Sequence, residues 1–277
     1  MSVSAPLRNK IFAGNRAVGR IAFSIGAAAG VSRRVRVHEA GSLRVRFPNA
    51  HGEALDAVIV NTAGGMTGGD RFDIDVKVGA AARLVVTTAA AEKVYRSLGP
   101  ETEICLRLDV GAGGTLAWLP QETILFDQVR LRRSIDVDLA RNATLLLSEA
   151  VIFGRSAMGE TVVHGHFIDR WRVRVDGALV FAETVRLDGL IAQCLAQRAI
   201  TGGGVAVASV VKFPGGDKDI AAVRVMADNF AGEVGISAWN GVAVARLVAS
   251  DGAALRRDLM AVLTTLRVAP LPRLWLN

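Results

Sequence analysis

An apolar run, a short break of Gly, Ala or Asn, and a second apolar run recur through the middle of this chain. Val78-Gly79-Ala80-Ala81-Ala82-Arg83-Leu84 aligns with Val110-Gly111-Ala112-Gly113-Gly114-Thr115-Leu116, and again with Leu139-Ala140-Arg141-Asn142-Ala143-Thr144-Leu145. A shorter version, Val175-Asp176-Gly177-Ala178-Leu179, comes fourth. The anchoring leucines lie 32, 29 and 34 residues apart, the spacing of a repeated supersecondary unit. Within the units apolar and polar residues alternate: Ile74, Val76 and Val78 with Asp73, Asp75 and Lys77, then Ile104, Leu106, Leu108 and Val110, then Ile135, Val137 and Leu139. A period of two is the mark of a strand with one buried face. One hairpin cannot bury that face alone, so successive units must stack. The expected fold is mainly β, with stacked antiparallel hairpins in a two-layer or β-solenoid-like arrangement and two or so helices.

The clearest helix starts at the cap candidates Ser250 and Asp251 and runs to about Arg267, close to the C-terminus. Leu255, Leu259, Val262, Leu263 and Leu266 form a stripe at helical spacing, which reads as core, and Pro270 and Pro272 prevent continuation. Leu190–Ala199 is a second candidate helix after the Asp188-Gly189 turn. No linker composition interrupts the chain, so 1–277 reads as one domain, with residues 1–30 a candidate for a loosely ordered N-terminal segment. An acid follows each anchoring leucine at an even offset: Glu92, Glu122, Glu149 and Glu183. In an unbroken strand an even offset keeps the same face. The acids are then either strand-end residues in water or inward-facing carboxylates that line a polar passage.

Composition narrows the function classes. Hydrophobic residues make up 51% of the 277, enough for a large core, and 29 glycines against 7 prolines favour tight turns over linkers. Lys and Arg exceed Asp and Glu by a formal +7, but no run of five basic residues occurs and aromatics are 5%. A stacking surface for bases is poorly supplied, so no nucleic acid is expected and an acidic protein partner explains the charge equally well. Cys105 and Cys194 are far apart and read as reduced cytosolic thiols. Residues 1–14 lack the apolar core of a signal peptide, and the longest uncharged stretches, 21–32 and 199–211, are too short to cross a bilayer. The chain is therefore expected to be soluble and cytoplasmic, without membrane contact.

Motifs for chemistry are sparse. The glycine cluster Asn61-Thr62-Ala63-Gly64-Gly65-Met66-Thr67-Gly68-Gly69-Asp70 is followed by another strand pattern, not a helix, and lacks Gly-Lys-Ser/Thr, so close backbone turns fit better than a phosphate loop. His164 and His166 would share a strand face, while His38 and His51 are isolated; without a third ligand nearby, no strong metal site is expected. Asp70, Asp73 and Asp75 form a possible hard-cation cluster, although the last two also match a polar strand face. No nucleophile motif occurs. Paired carboxylates for glycoside chemistry keep a β-solenoid carbohydrate-active enzyme as the alternative, against which one Tyr and four Trp speak; a basic nucleic-acid-binding module is a weaker alternative.

Four stretches resemble the signature segments of the urease accessory protein D family, also called UreH: Val60–Asp70, Ala91-Glu92-Lys93-Val94-Tyr95-Arg96-Ser97, Trp118-Leu119-Pro120-Gln121-Glu122-Thr123-Ile124-Leu125-Phe126-Asp127, and Ser148-Glu149-Ala150-Val151-Ile152-Phe153-Gly154-Arg155. Weaker matches are Arg170–Asp188, Thr201–Gly204 and Leu271-Pro272-Arg273-Leu274-Trp275. The resemblance implies a non-enzymatic chaperone of urease maturation, in a complex with accessory proteins F and G on apo-urease. It implies nickel in transit with no stably bound cofactor, and GTP only through the partner GTPase. Carried over by motif, the candidates for transient nickel passage are Asp70, Glu92, Asp127 and Glu149. The basic segment Val35–Phe47 departs from the family pattern.

Overall fold

The computed structural model describes residues 16–48, 54–97, 99–267 and 269–276. Strand numbers follow the chain. One sheet runs, in spatial order, β14 (Ala178–Gly189), β13 (Gly165–Val175), β11 (Val129–Leu139), β8 (Thr102–Val110), β5 (Arg71–Val78), β1 (Val18–Ala28) and β2 (Val31–Gly41). The other runs β16 (Glu233–Trp239), β17 (Val242–Ala249), β15 (Ala206–Phe213), β12 (Thr144–Phe153), β9 (Thr115–Trp118), β6 (Arg83–Thr88), β4 (Leu55–Asn61) and β3 (Leu43–Arg46). Two short strands, β7 (Glu92–Val94) and β10 (Thr123–Leu125), extend it beside the end of β12. The chain is mainly β and solenoid-like, as the repeat requires.

The repeat alignment is also the hydrogen-bonding register. Leu55, Leu84, Leu116 and Leu145 stand side by side across β4, β6, β9 and β12. Val78, Val110, Leu139 and Val175 do the same across β5, β8, β11 and β13. Pairing within these stacks is parallel, which corrects the antiparallel-hairpin picture for the centre of the molecule. The break between the runs decides this. Five residues separate Val78 from Leu84, Val110 from Leu116 and Leu139 from Leu145, and this longer arch carries the chain across to the opposite sheet. The fourth break is two residues shorter. Asp176 and Gly177, at φ 47° and 80°, make a two-residue turn that keeps β14 antiparallel to β13 in the same sheet. Leu179 is consequently 53% exposed, and a bulge passes the inward place to Phe181.

Antiparallel pairs close the stack, with β1–β2 and β3–β4 at one end and β13–β14 and β12–β15–β17–β16 at the other. Residues 1–15 lie outside the described residues, as does His51, while Val18–Ala28 is the fully paired strand β1.

Two cores result. The first lies between the sheets and includes Ile21, Phe23, Leu84, Leu116, Ile135, Leu145 and Trp171. The second lies between the outer face of the second sheet and the helices. Three α-helices occur among the described residues: α1 (Ile191–Ala196), α2 (Asp217–Arg224) and α3 (Gly252–Arg267). The whole apolar stripe of α3 is buried in the second core, and Asp251 caps it by accepting the Ala254 amide at 2.9 Å. The outer face of the first sheet carries cross-strand ion pairs instead, among them Arg71–Glu103 and Arg107–Asp75.

Candidate functional site

The four signature stretches meet along one strip. Met66 of the glycine loop bridges Val94, and β7, β10 and the last residues of β12 then lie parallel, bringing Val94, Leu125 and Phe153 side by side. The loop is held by Met66 N–H to the Lys93 carbonyl at 2.7 Å and Tyr95 N–H to the Met66 carbonyl at 2.8 Å. Glycine is required at two of its positions. A Cβ on Gly65, at φ 144°, would stand 2.5 Å from the Tyr95 ring, and one on Gly68 would stand 1.9 Å from Ser97 Oγ. The cluster is thus a close backbone turn, as its sequence suggests.

Proline then opens a gap in the sheet. β12 pairs with β9 as far as Leu147 and with β10 from Val151 onward. Between them Ser148–Ala150 face Leu119–Glu122, where Pro120 has no N–H to offer. Glu149 points inward at this gap. Trp118 Nε1 donates to its Oε1 at 3.0 Å, and Arg133 of the opposite sheet donates to its Oε2. Arg133 also donates to both oxygens of Asp169, its register neighbour on β13, at 3.0 and 2.5 Å. Arg133, Glu149 and Asp169 are each over nine-tenths buried. Burial by itself lowers the Arg133 pKa, but Asp169 and Glu149 outweigh it and hold the pKa above the usual range. Burial pushes the Glu149 carboxyl up, against the pull of Arg133.

Two cavities meet at this group. One of about 220 Å³ is lined by Arg133, Glu149, Asp169 and Glu183 among apolar walls that include Phe153 and Phe167. The other, of about 70 Å³, is lined by Arg133 and Glu149 together with Glu92, Asn61 and Gln121. Arg133 and Glu149 are therefore the wall between them.

Three of the four even-offset acids line a cavity, although for Glu183 the β14 bulge, and not parity with the exposed Leu179, puts it there. β12 is unbroken from Leu145 to Glu149, so parity holds; Glu92 and Glu183 also line the interior. Glu122 follows Pro120, and the interruption turns it outward to Arg256 of α3 at 2.8 Å. Of the motif candidates, Glu92 and Glu149 share the smaller cavity. Asp70 instead accepts the amides of Ala17 and Thr67 at 2.8 and 2.7 Å, clamping the glycine loop to the lead-in of β1. Asp127 accepts those of Val163 and His164 at 2.8 and 3.0 Å; despite some burial, these bonds keep its pKa low. Asp73 and Asp75 lie on the outer face in ion pairs with Arg71 and Arg107. His164 is exposed, whereas His166 is buried between Asp188 and Glu101, 3.0 Å from each. Among the described residues no three His, Cys, Asp or Glu side chains form a metal-holding group, and no helix is long and apolar enough to cross a membrane. Trp118, Trp171 and Trp275 are buried, and Trp239 is partly exposed.

Arg133 and Asp169 were not singled out in the sequence, though a signal exists. Each takes an inward place in the alternation, in Leu131-x-Arg133-x-Ile135 and Phe167-x-Asp169-x-Trp171, where an apolar residue is the rule.

Glu92 gives a test of its surroundings. Burial raises its pKa, and the Asn61 amide, donating to Oε2 at 3.0 Å, only partly offsets this. A carboxyl raised in the folded state costs stability once pH exceeds its unfolded value of about 4.3. Glu92→Gln keeps an acceptor for Asn61 and is expected to melt higher than wild type near pH 7. Thermal midpoints across pH should show that advantage shrinking to nothing as pH falls toward about 4.

The structure is a stacked β scaffold with helices on one outer face and a buried charged group between its sheets. Residues 17–276 match the UreD urease accessory protein family, and the chain belongs to it. It is 58% identical over 267 residues to the urease accessory protein UreD of Rhodopseudomonas palustris strain HaA2, covering 96% of each chain. The strain BisB5 protein is 57% identical over 274 residues, 99% of this chain and 97% of that one. The Bradyrhizobium diazoefficiens UreD is 55% identical, with 97% of each covered. Family membership gives the chain a role in urease maturation.

Proposed function

We propose that this protein is a cytoplasmic, non-enzymatic scaffold that joins accessory proteins F and G to apo-urease and conducts Ni²⁺ toward the urease active site. GTP acts only through the partner GTPase, and nickel is cargo. The observation that carries the reading is the shared wall between the interior cavities. Glu92, Glu149, Asp169 and Glu183 place carboxylate oxygens along one line of cavities inside the stack. Oxygen ligands at separate stations hold a dication loosely enough to release it, which a closed His/Cys cage does not. Arg133 supplies the positive charge that Glu149 and Asp169 need when no dication is present. An arriving Ni²⁺ replaces that guanidinium at Glu149, so cargo and arginine exchange as counter-ions.

The test is reconstitution of apo-urease with the accessory set and this chain. Glu92→Gln and Glu149→Gln are expected to lower nickel content and urease activity while the complex with F, G and apo-urease still assembles. Activation at the wild-type level by both variants would sink the conduit. Full activation with the chain omitted would reject the maturation role itself.

A further inference from the structure

β2 is the outermost strand of the first sheet, and the basic segment Val35–Phe47 begins within it and continues through β3. β2 pairs with β1 along its length, and among the described residues its other edge pairs with nothing. Its sequence alternates arginine and valine, and both kinds are exposed. Val31, Val35 and Val37 are 45%, 71% and 40% accessible, and Arg33, Arg34 and Arg36 all face solvent. None of these three arginines has a carboxylate partner among the described residues; the Arg34 guanidinium rests 5.3 Å over the Phe47 ring. The nearby acids are engaged elsewhere, Glu39 with Arg46 and the Val45 amide, and Asp75 with Arg107. Register sets Arg36 beside Ser24, Arg33 beside Gly26 and His38 beside Ala22, so these side chains stand over a row of small residues.

We propose that β2 is a docking edge for an acidic, extended segment of a partner protein, which adds to the sheet as a further strand. Backbone groups of the open edge supply the affinity, and carboxylates alternating along one face of the incoming strand meet Arg33 and Arg36. The same charges exclude other occupants. A second copy of β2 would set arginine against arginine. Residues 1–15 of this chain carry Arg8 and Lys10 and no acid. Exposed valines between the arginines distinguish this edge from one built only to repel, because they give an added strand apolar neighbours on both faces. The proposal is independent of the interior passage.

The test uses the full chain and a fluorescent synthetic peptide of alternating Glu and Val, as long as β2, read by anisotropy. Saturable binding is expected, weakened about tenfold or more by the double charge reversal Arg33→Glu/Arg36→Glu. The same peptide N-methylated at every second amide, on the edge facing β2, should also bind about tenfold or more weakly. A Lys-for-Glu peptide should not bind. Backbone amides of β2 should exchange more slowly in the complex. Unaltered thermal unfolding of the double variant shows that its fold is intact. Equal binding of the N-methylated peptide, equal binding by the charge-reversed protein, or absence of saturable binding would each overturn the proposal. So would an oligothymidine that displaces the peptide and binds more tightly.

Discussion

Arg133→Ala is expected to destabilise the protein by about 3–5 kcal/mol, the cost of leaving buried carboxylates without their cation. Glu149 and Asp169 reach that cation from two different strands of two different sheets, and both are over nine-tenths buried. The loss comes from the stranded charges more than from the ion pair. Replacing all three residues by apolar ones of similar size, as in Arg133→Met/Glu149→Leu/Asp169→Leu, should therefore recover most of the stability. Urea denaturation compares the single and triple variants. The cost to Arg133→Ala should also shrink as pH falls and Glu149, whose pKa burial raises, takes up a proton. Counter-ion exchange adds a sharper expectation: Ni²⁺ should raise the midpoint of Arg133→Ala and leave that of wild type nearly unmoved. If the triple variant is no more stable than the single, packing around Arg133 and not charge burial is the cause.

The first three repeats were legible to the residue because their leucine and valine anchors stand beside one another. Leu84 meets Leu116 and Leu116 meets Leu145. What alternation cannot show is which sheet the next strand joins, since a strand facing the core reads the same in either. Turn length carried that information, in the two residues missing between Val175 and Leu179. The inward acids were legible only where the strand is unbroken: Glu149 follows its anchor through β12, whereas Pro120 reverses the expectation for Glu122. Asp70 and Asp127 look like Glu149 within their motifs, but their carboxylates accept backbone amides, mostly from distant segments, a bond that loop geometry creates and side-chain pattern does not announce. Arg133 escaped notice because its partners lie 16 and 36 residues away and on other strands.

The C-terminal segment stabilises this interior from outside, which Trp275→Ala should reveal as a loss of about 3–5 kcal/mol. Trp275 is 1% exposed in the second core, beneath the Arg256 guanidinium at 5.1 Å. Its Nε1 donates to the Leu119 carbonyl at 3.0 Å, at the lip of the gap that Pro120 opens. Arg256 extends the same support, donating to Gln121 at 2.7 Å, to Glu122 at 2.8 Å and to the Trp275 carbonyl at 3.1 Å. Gln121 in turn donates to the Leu274 carbonyl at 3.3 Å and lines the smaller cavity. Truncating the indole removes apolar burial and leaves the Leu119 carbonyl unmet. Trp275→Phe separates the two contributions, since it keeps most of the packing and should cost only about 1–3 kcal/mol for the unsatisfied acceptor. Denaturant midpoints rank the variants, and hydrogen exchange at Ser148–Ala150 reports on the gap. Faster exchange there in both variants is expected. A loss below about 1 kcal/mol for Trp275→Ala, with exchange unchanged, would mean that the interrupted strands hold Glu149 in place without help from the tail.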